Sequence, residues 1–313
     1  MSAAAAARAE LIADRGAAAA SDDLFRSPAY LEAEGVTDTL RIESEDRTTL
    51  LPLIVREIEP GGPVDAISPY GYPGGKVEGE GEPPAPEAID FSATGLVSAF
   101  IRECLPQPAL AGATERSRVQ IHDPGRPRSV RSRLAEQVRA NARRGWEVET
   151  VPGPQAAGEA IDAFVRAYEE TMRRTQAAER YFFAPGYYRA VLSFERSWLL
   201  LARREGQVGA AAIAAVSDGV LHYFLGGTAD IALEESPFKN VVVAMLDLAD
   251  EVGLPLNLGG GVQPGDGLER FKRGFANAEL PFRTHEIVCD PEAYERLSGG
   301  RDAGGFFPAY RAT

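Results

Sequence analysis

The stretch from Gly253 to Phe275 constrains the fold more than any other part of the chain. It begins like a half-buried strand, because leucines at alternate positions are separated by smaller or polar residues. Gly259, Gly260 and Gly261 follow and remove every side chain from the end of that strand. The backbone is then free to turn sharply, and a ligand can approach it closely. We therefore predict a strand that ends in an open glycine mouth, the segment 259–261.

A short helix is predicted directly after the glycine mouth. Asp266 suits its N-cap and Gly274 suits its C-terminal cap, and Phe271 and Lys272 lie side by side between them. A cation delivered beside an open backbone suits a negatively charged ligand or transition state. The alternative interpretation is a tight joint between strand and helix that needs glycine only for its geometry.

Length and composition place the chain among ordinary globular proteins. Its 313 residues suggest two domains, and contents of 44% hydrophobic and 25% charged residues are typical of soluble proteins. Residues 1–20 are rich in alanine but carry Glu10 and Asp14, which favours a flexible leader over a secretory signal. No apolar run of about 18 residues predicts a membrane span. Cysteine occurs only at positions 104 and 289, which favours a reducing cytoplasm and argues against a disulfide framework or a zinc site.

The charge of the chain is negative overall but unevenly distributed. A net charge of −13 argues against binding of nucleic acid by the whole surface. The segment 126–144 nevertheless contains seven arginines and a single acidic residue, Glu136. Leu134, Val138 and Ala142 form an apolar stripe there, so the segment is predicted to be a helix whose arginines face solvent. This face is either a plain solvated surface or a surface that contacts phosphates.

The predicted order of elements indicates two α/β halves. From 156 to 297 it runs helix, helix, three strands, helix, strand, short helix, strand and helix, which favours a mostly antiparallel sheet. The region 75–88 is predicted to be a mobile loop, and 91–105 has helical spacing. The predicted units are a first domain at 21–151, which includes the connecting helix 126–145, a second domain at 152–297, and a tail at 298–313 that packs back on the first domain.

Several sequence blocks together resemble the Fem-like peptidyltransferases. They are SPYGYPGG (68–75), RSRLAEQVRANARRGWEV (131–148), HYFLGGT (222–228), SPFKNVVVAMLDLADEVG (236–253), LNLGGG (256–261) and DGLERFKRGF (266–275). The resemblance covers roughly residues 25–297. It implies an α/β (α+β) fold with two tandem GNAT-like domains, mixed and mostly antiparallel sheets, and a cleft between the domains. It also implies a cytoplasmic enzyme that needs no cofactor, with aminoacyl-tRNA as its co-substrate.

The resemblance also implies roles for individual residues. Phe271 and Lys272 would hold the acceptor end of the tRNA and neutralise the oxyanion that forms when an amine attacks the ester. Tyr223 would line the acceptor pocket. Thr171 and Arg173 match a pair that binds acceptor phosphates in some members, although the tyrosine expected four residues later is Ala177 here. The remaining implied positions are Tyr70, Tyr72, Gly260 and Gly261 for substrate, and Arg139, Arg143 and Arg144 for tRNA.

The acceptor and the donor stay open at this point. A cell-wall precursor and a peptide natural product are both suitable acceptors, and an α-amine needs less help from a base than a lysine side chain does. An acyl-CoA-dependent N-acyltransferase on the same fold is the alternative, although Val208 occupies the last position of the nearest candidate pyrophosphate loop. A binding module without catalysis is a third hypothesis. His122, His222 and His285 form no metal-binding pattern and are interpreted as strand residues.

Overall fold

The computed structural model describes residues 7–301 and 303–312, which form two compact units. Unit 1 comprises the described residues up to Ser21, Phe25–Arg116, and those from Pro281 onward. Unit 2 comprises Asp22–Leu24 and Ser117–Leu280. The chain therefore changes unit near residues 116 and 280, not at the predicted boundary near residue 152. As a result, the arginine-rich helix lies in unit 2, whereas the last helix and most of the last strand lie in unit 1.

Strands dominate the first part of the chain, and most of the α-helices lie in its second half. The strands are β1 Ala7–Ile12, β2 Asp38–Ser44, β3 Arg47–Glu57, β4 Val64–Ile67, β5 Lys76–Gly79, β6 Ile89–Ala93, β7 Leu96–Arg102, β8 Thr114–His122, β9 Glu147–Pro152, β10 Ser197–Arg204, β11 Gln207–Ser217, β12 Val220–Thr228, β13 Leu256–Gly259 and β14 Ala278–Val288. The helices are α1 Pro28–Ala33, α2 Ser132–Arg143, α3 Gly158–Arg174, α4 Pro185–Leu192, α5 Phe238–Val252, α6 Gly267–Arg273 and α7 Pro291–Ser298.

The sheet of unit 1 has the strand order β6-β1-β2-β3-β4-β7-β14. Its pairs are antiparallel except for β1 with β6 and β4 with β7. Residues 7–12, which were predicted to belong to a flexible leader, form β1 and pair with β2. Ala7 and Ala9 alternate with exposed residues and are buried, so small side chains fit this strand against the core.

Two further expectations for unit 1 are corrected by the structure. The predicted mobile loop at 75–88 contains β5, which pairs with β3. The predicted helix at 91–105 is instead β6, a turn at Gly95, and β7. Burial explains this second error, because Leu96, Val97 and Ala99 are all buried and a short strand covered on both faces lacks the usual alternation.

The C-terminal residues pack on unit 1 through a buried carboxylate. Asp65 is wholly buried and accepts hydrogen bonds from Arg56 Nε at 2.9 Å and from an Arg311 terminal nitrogen at 3.0 Å. Tyr310 lies beside it, with its hydroxyl 3.2 Å from Asp65 and 2.7 Å from the hydroxyl of Ser98. Because all of these groups pair with one another, the carboxylate tolerates its complete burial.

The sheet of unit 2 has the strand order β8-β13-β12-β11-β10-β9. Only the β12–β13 pair is parallel, and α5 makes the connection between these two strands. The hairpins β10–β11 and β11–β12 turn at Glu205-Gly206 and Asp218-Gly219, with positive φ at all four residues. The expected fold class, α/β with mixed and mostly antiparallel sheets, is therefore confirmed.

Helices α5 and α3 cover opposite faces of this sheet. A Cβ added to Gly226 would lie 2.9 Å from the ring of Phe238 at the start of α5. A Cβ added to the next residue, Gly227, would lie 2.3 Å from the backbone oxygen of Ala167 in α3. Successive strand residues point to opposite faces, so the two glycines of β12 let both helices approach closely.

Candidate active site

The glycine mouth lies at the end of β13, between β12 and β8. Gly259 has φ +78°, a conformation that favours glycine, and a Cβ there would lie 2.9 Å from Lys272 Nζ. A Cβ on Gly260 would lie 3.0 Å from a backbone oxygen of β8, and one on Gly261 would lie 2.5 Å from the Asp266 carboxylate. The positive φ favours glycine at position 259, and close neighbours favour it at positions 260 and 261, so the glycine mouth is closely packed.

Asp266 shapes the loop between the glycine mouth and α6. Its carboxylate caps the helix by accepting the backbone N–H of Glu269 at 2.7 Å, as the sequence predicted. It also accepts the N–H groups of Val262 at 2.7 Å and Gln263 at 3.0 Å. These backbone hydrogen bonds lower the pKa of Asp266 to about 2, so the carboxylate stays ionised at neutral pH.

The ammonium of Lys272 lies against the glycine mouth. The residue is half-buried, and its Nζ donates a hydrogen bond to the backbone oxygen of Gly260 at 2.8 Å. The same nitrogen lies 5.6 Å from the ring centroid of Tyr223, within range of a cation–π contact. Burial lowers the pKa of Lys272 to about 8, while the charge of Asp266 partly opposes that shift. Lys272 is thus a partly desolvated cation beside an open strand end, as the catalytic hypothesis requires.

A row of aromatic rings holds α6 and β12 in place around this ammonium. Tyr223 and Phe238 have ring centroids 5.7 Å apart, and Phe238 and Phe271 are 6.5 Å apart. Phe271 then meets Phe275 edge to face at 5.3 Å. Phe271 packs against the hydrophobic core of unit 2, so the contacts that we observe for it position α6. Its predicted contact with the acceptor end of tRNA stays a prediction.

Sequence reasoning did not identify Phe238 and Phe275 as parts of this site. The four-residue spacing of Phe271 and Phe275 was an available signal, because it is close to one helical turn, although Phe275 lies just after the end of α6. Phe238 had no comparable signal, since it approaches the other rings only after α5 has folded back over the sheet.

Thr171 and Arg173 are not brought next to Lys272. They lie on α3, which covers the opposite face of the sheet from Phe238. The hydroxyl of Thr171 accepts the backbone N–H of Thr228 at 2.8 Å and so ties α3 to the end of β12. Arg173 is exposed and forms an ion pair with Glu169 one turn earlier. Binding of acceptor phosphates by this pair stays a prediction.

The three arginines predicted to contact tRNA lie at the C-terminal end of α2. Arg139, Arg143 and Arg144 are all exposed, and the first two share a helix face because they are four residues apart. Arg144 follows α2 as its C-cap and donates to the Asn141 side chain at 3.4 Å. These guanidinium groups therefore face solvent from one end of a helix, which fits both the phosphate-contact and the plain-surface interpretations.

Tyr70 and Tyr72 belong to unit 1, where neighbouring groups hold both residues. The backbone N–H of Tyr70 donates to the Glu34 carboxylate at 2.9 Å. The ring of Tyr72 packs between Phe25, at a centroid distance of 6.0 Å, and Phe282, at 5.3 Å. Their predicted contact with substrate stays a prediction.

The site in unit 2 is suited to stabilising negative charge that develops on a substrate. An ammonium has three N–H donors, and the hydrogen bond to Gly260 uses one of them. The remaining donors can bind the oxygen of a tetrahedral intermediate. In residues 7–301 and 303–312, no group of three or more histidine, cysteine or acidic side chains is arranged to hold a metal ion. None of the helices in this described part of the chain has both the length and the apolar character needed to cross a bilayer.

A family model matches a segment that includes Tyr223, the glycine mouth and Lys272. Residues 128–273 match the model of the family described as "Acetyltransferase (GNAT) domain". No curated protein sequence matches the chain significantly.

Solved structures extend the likeness to most of the chain. The crystal structure of FemX is similar with a TM-score of 0.62 at 13% identity, over 90% of this chain and 96% of that chain. The C-terminal domain of a proposed lysylphosphatidylglycerol synthetase from Agrobacterium fabrum has a TM-score of 0.56 at 16% identity, over 87% of this chain and 88% of that chain. L-PGS from Bacillus licheniformis has a TM-score of 0.55 at 13% identity, over 84% of this chain and 90% of that chain. At these identities the likeness is one of fold.

Proposed function

We propose that this chain moves an amino acid from aminoacyl-tRNA to an amine of a peptide or peptide-like acceptor, because residues 128–273 match a GNAT acetyltransferase model and the fold is similar to that of FemX. The acceptor is a cell-wall precursor or a peptide natural product, and the product is a peptide bond. The observation that carries the proposal is the half-buried ammonium of Lys272, held 2.8 Å from the oxygen of Gly260 at the end of β13.

The proposed reaction is a direct attack of the acceptor amine on the ester carbonyl. The carbon–nitrogen bond forms as a tetrahedral oxyanion develops, and Lys272 donates a hydrogen bond to that oxygen. The carbon–oxygen bond to the ribose then breaks, and the proton that leaves the amine ends on the ribose oxygen. An α-amine with a pKa of about 8 is already about one-tenth neutral at pH 7, so it can attack without a strong general base.

The pKa of Lys272 fits this assignment of roles. Because burial lowers that pKa to about 8, the side chain is still mostly protonated at pH 7 and can stabilise an anion. Partial desolvation makes its hydrogen bond to an oxyanion stronger than that of a lysine in bulk water. The nearby ring of Tyr223 adds a cation–π contact that favours the protonated form.

Transfer from charged tRNA is the direct test of the proposed function. The protein is incubated with a panel of radiolabelled aminoacyl-tRNAs and candidate peptides, and mass spectrometry identifies the products. We expect an acceptor heavier by one aminoacyl residue, with formation abolished by ribonuclease and reduced in the Lys272→Met variant. Phosphatidylglycerol vesicles belong in the acceptor panel, since one of the similar structures is named for a lysylphosphatidylglycerol synthetase. Product that forms from acyl-CoA without tRNA would refute the proposed donor.

An acyl-CoA-dependent N-acyltransferase is the second candidate function. It is supported by the match of residues 128–273 to a family described as acetyltransferases. The same ammonium would then stabilise the oxyanion formed from a thioester. This candidate predicts a thermal shift on addition of acetyl-CoA or a longer acyl-CoA, which the aminoacyl-tRNA proposal does not.

A further inference from the structure

A buried polar relay lies directly behind the glycine mouth. Asn257 Oδ1 accepts the backbone N–H of Gly259 at 2.8 Å. The Asn257 amide nitrogen lies 3.1 Å from Nδ1 of His222, and Nε2 of the same ring lies 3.3 Å from the backbone oxygen of Ser217. His222 and Asn257 are both almost completely buried. The relay therefore connects the end of β11 to the backbone of the glycine mouth through two side chains.

The chemistry of the relay allows only one orientation of the Asn257 amide. Burial lowers the pKa of His222 to about 3, so the ring is neutral at pH 7. A carbonyl oxygen only accepts hydrogen bonds, so Nε2 of the ring carries the proton and Nδ1 is an acceptor. Asn257 must then donate its NH₂ group to the ring and turn its oxygen toward Gly259.

The backbone that Asn257 holds is the backbone that fixes the ammonium of Lys272. Gly259 has φ +78°, and its missing Cβ leaves the space in which Nζ lies. The next residue, Gly260, supplies the oxygen that accepts the hydrogen bond from Nζ. A change in the backbone of Gly259 therefore moves the acceptor of the ammonium and closes its space at the same time.

We infer that Asn257 is a positioning residue, which sets the location of the Lys272 ammonium through the backbone of Gly259, while His222 orients the Asn257 amide. The catalytic consequence of this coupling rests on the proposed function. The coupling itself is a property of the folded chain and can be measured without substrate.

The matched variants Asn257→Ala and Asn257→Ser isolate the hydrogen bond to Gly259. Both shorten the side chain and lose the contact with His222, but the serine hydroxyl can still accept the N–H two residues ahead. Asn141→Ala is the control, because Asn141 is an equally buried asparagine of unit 2 whose amide bonds to Asn240 at 3.0 Å. The control measures what loss of any buried asparagine does to the unit.

The readout is the titration of Lys272 followed by NMR of protein labelled at the lysine ε-carbon. The chain contains only three lysines, so the Lys272→Met variant assigns the signal. In the wild type we expect titration near pH 8. In Asn257→Ala the pKa should rise by about one unit or more, because a displaced ammonium is better hydrated. In Asn257→Ser and Asn141→Ala it should stay close to the wild-type value.

Equal titration of Lys272 in the alanine and serine variants would overturn the inference. If the alanine variant does not fold, hydrogen exchange of the Gly259 amide in the wild type provides the test. A slow exchange is expected if Asn257 accepts that N–H. An amide that exchanges as fast as one in an unstructured chain would overturn the inference. Kinetics then test the consequence, and we expect a lower kcat with little change in KM for Asn257→Ala. If the pKa of Lys272 moves but no aminoacyl transfer is found, the positioning role stands and only the proposed function fails.

Discussion

Replacing Lys272 with methionine separates catalysis from stability in this protein. Methionine keeps much of the length and apolar volume of the side chain but has no charge and no N–H donor. Loss of one preorganised donor to an oxyanion costs about 10²–10³ in kcat, so the variant should be nearly inactive. The variant should still fold, because burial of the charged ammonium destabilises the folded state of the wild type.

The pKa of Lys272 gives the sign and the size of this contribution to the free energy of unfolding. The folded-state pKa is lowered from 10.5 to about 8, so the unfolded chain binds this proton more tightly than the folded chain does. The penalty is fully present below pH 8 and fades as the pH rises toward 10.5. Its upper limit is on the order of 3 kcal/mol from the shift, and the lost hydrogen bond to Gly260 offsets about 1 kcal/mol of the gain in the variant. We expect Lys272→Met to be as stable as the wild type at pH 7, or more stable by up to about 2 kcal/mol.

Activity should also depend on pH in a way that identifies Lys272. The acceptor must be neutral and Lys272 must be protonated, so kcat/KM should rise with pH up to about 8 and fall above it. Lys272→Arg should be less active, and its remaining activity should lack the falling limb, because a guanidinium stays charged at alkaline pH. The pH profile of aminoacyl transfer tests this expectation. Urea unfolding at pH 7 and 9.5 tests the expected change in stability.

The control for this prediction is Lys76→Met, which removes a partly exposed lysine that pairs with Glu78 in unit 1. It should change neither the rate nor its pH dependence. An Lys272→Met variant with more than half of the wild-type activity would refute the catalytic role. A variant that is inactive and also strongly destabilised would instead make Lys272 a structural residue of the glycine mouth.

Three further variants test other parts of the structure. Gly259→Ala should destabilise unit 2 by about 1–2 kcal/mol in urea unfolding and reduce the rate at least tenfold, because it strains a positive φ and displaces the ammonium; an unchanged rate would show that the space beside Nζ is unimportant. Combined replacement of Arg139, Arg143 and Arg144 by glutamine should reduce, by about 2–3, the slope of the logarithm of the tRNA binding constant against the logarithm of the salt concentration. Filter binding measures this slope, and an unchanged slope would make this end of the helix a plain solvated surface. Asp65→Asn should lower the stability of unit 1 by about 3 kcal/mol, because it leaves two guanidinium groups without their buried partner; a change below 0.5 kcal/mol in urea unfolding would contradict that account.

The predictable parts of the fold are those with a local signal. The cap at Asp266 and the strand before the glycine mouth were each predicted from neighbouring residues, and each is observed. Local chemistry thus located the strand, the glycines and the lysine of the candidate site.

The unpredicted parts depend on contacts between distant residues. Residues 7–12 form a strand because β2 and β6 pair with them, and nothing in their own sequence indicates those partners. The relay from His222 to Asn257 joins residues on neighbouring strands, and each residue alone reads as an ordinary strand position. The position of Thr171 depends on which face of the sheet α3 covers. A short sequence motif carries no information about that packing.

The choice of lysine at position 272 follows from the same physical argument as its burial. Arginine supplies all but three of the 33 basic residues in this chain, so a composition bias alone would place arginine there. A guanidinium keeps its proton under almost any degree of burial and needs a planar set of acceptors, whereas the glycine mouth offers one backbone oxygen and a narrow space. An ammonium fits that space as a compact charge, and its pKa falls under burial into the range where an acceptor amine also titrates. The bias is therefore broken at a position that takes only a compact cation, which is the strongest reason to treat Lys272 as the donor to the oxyanion.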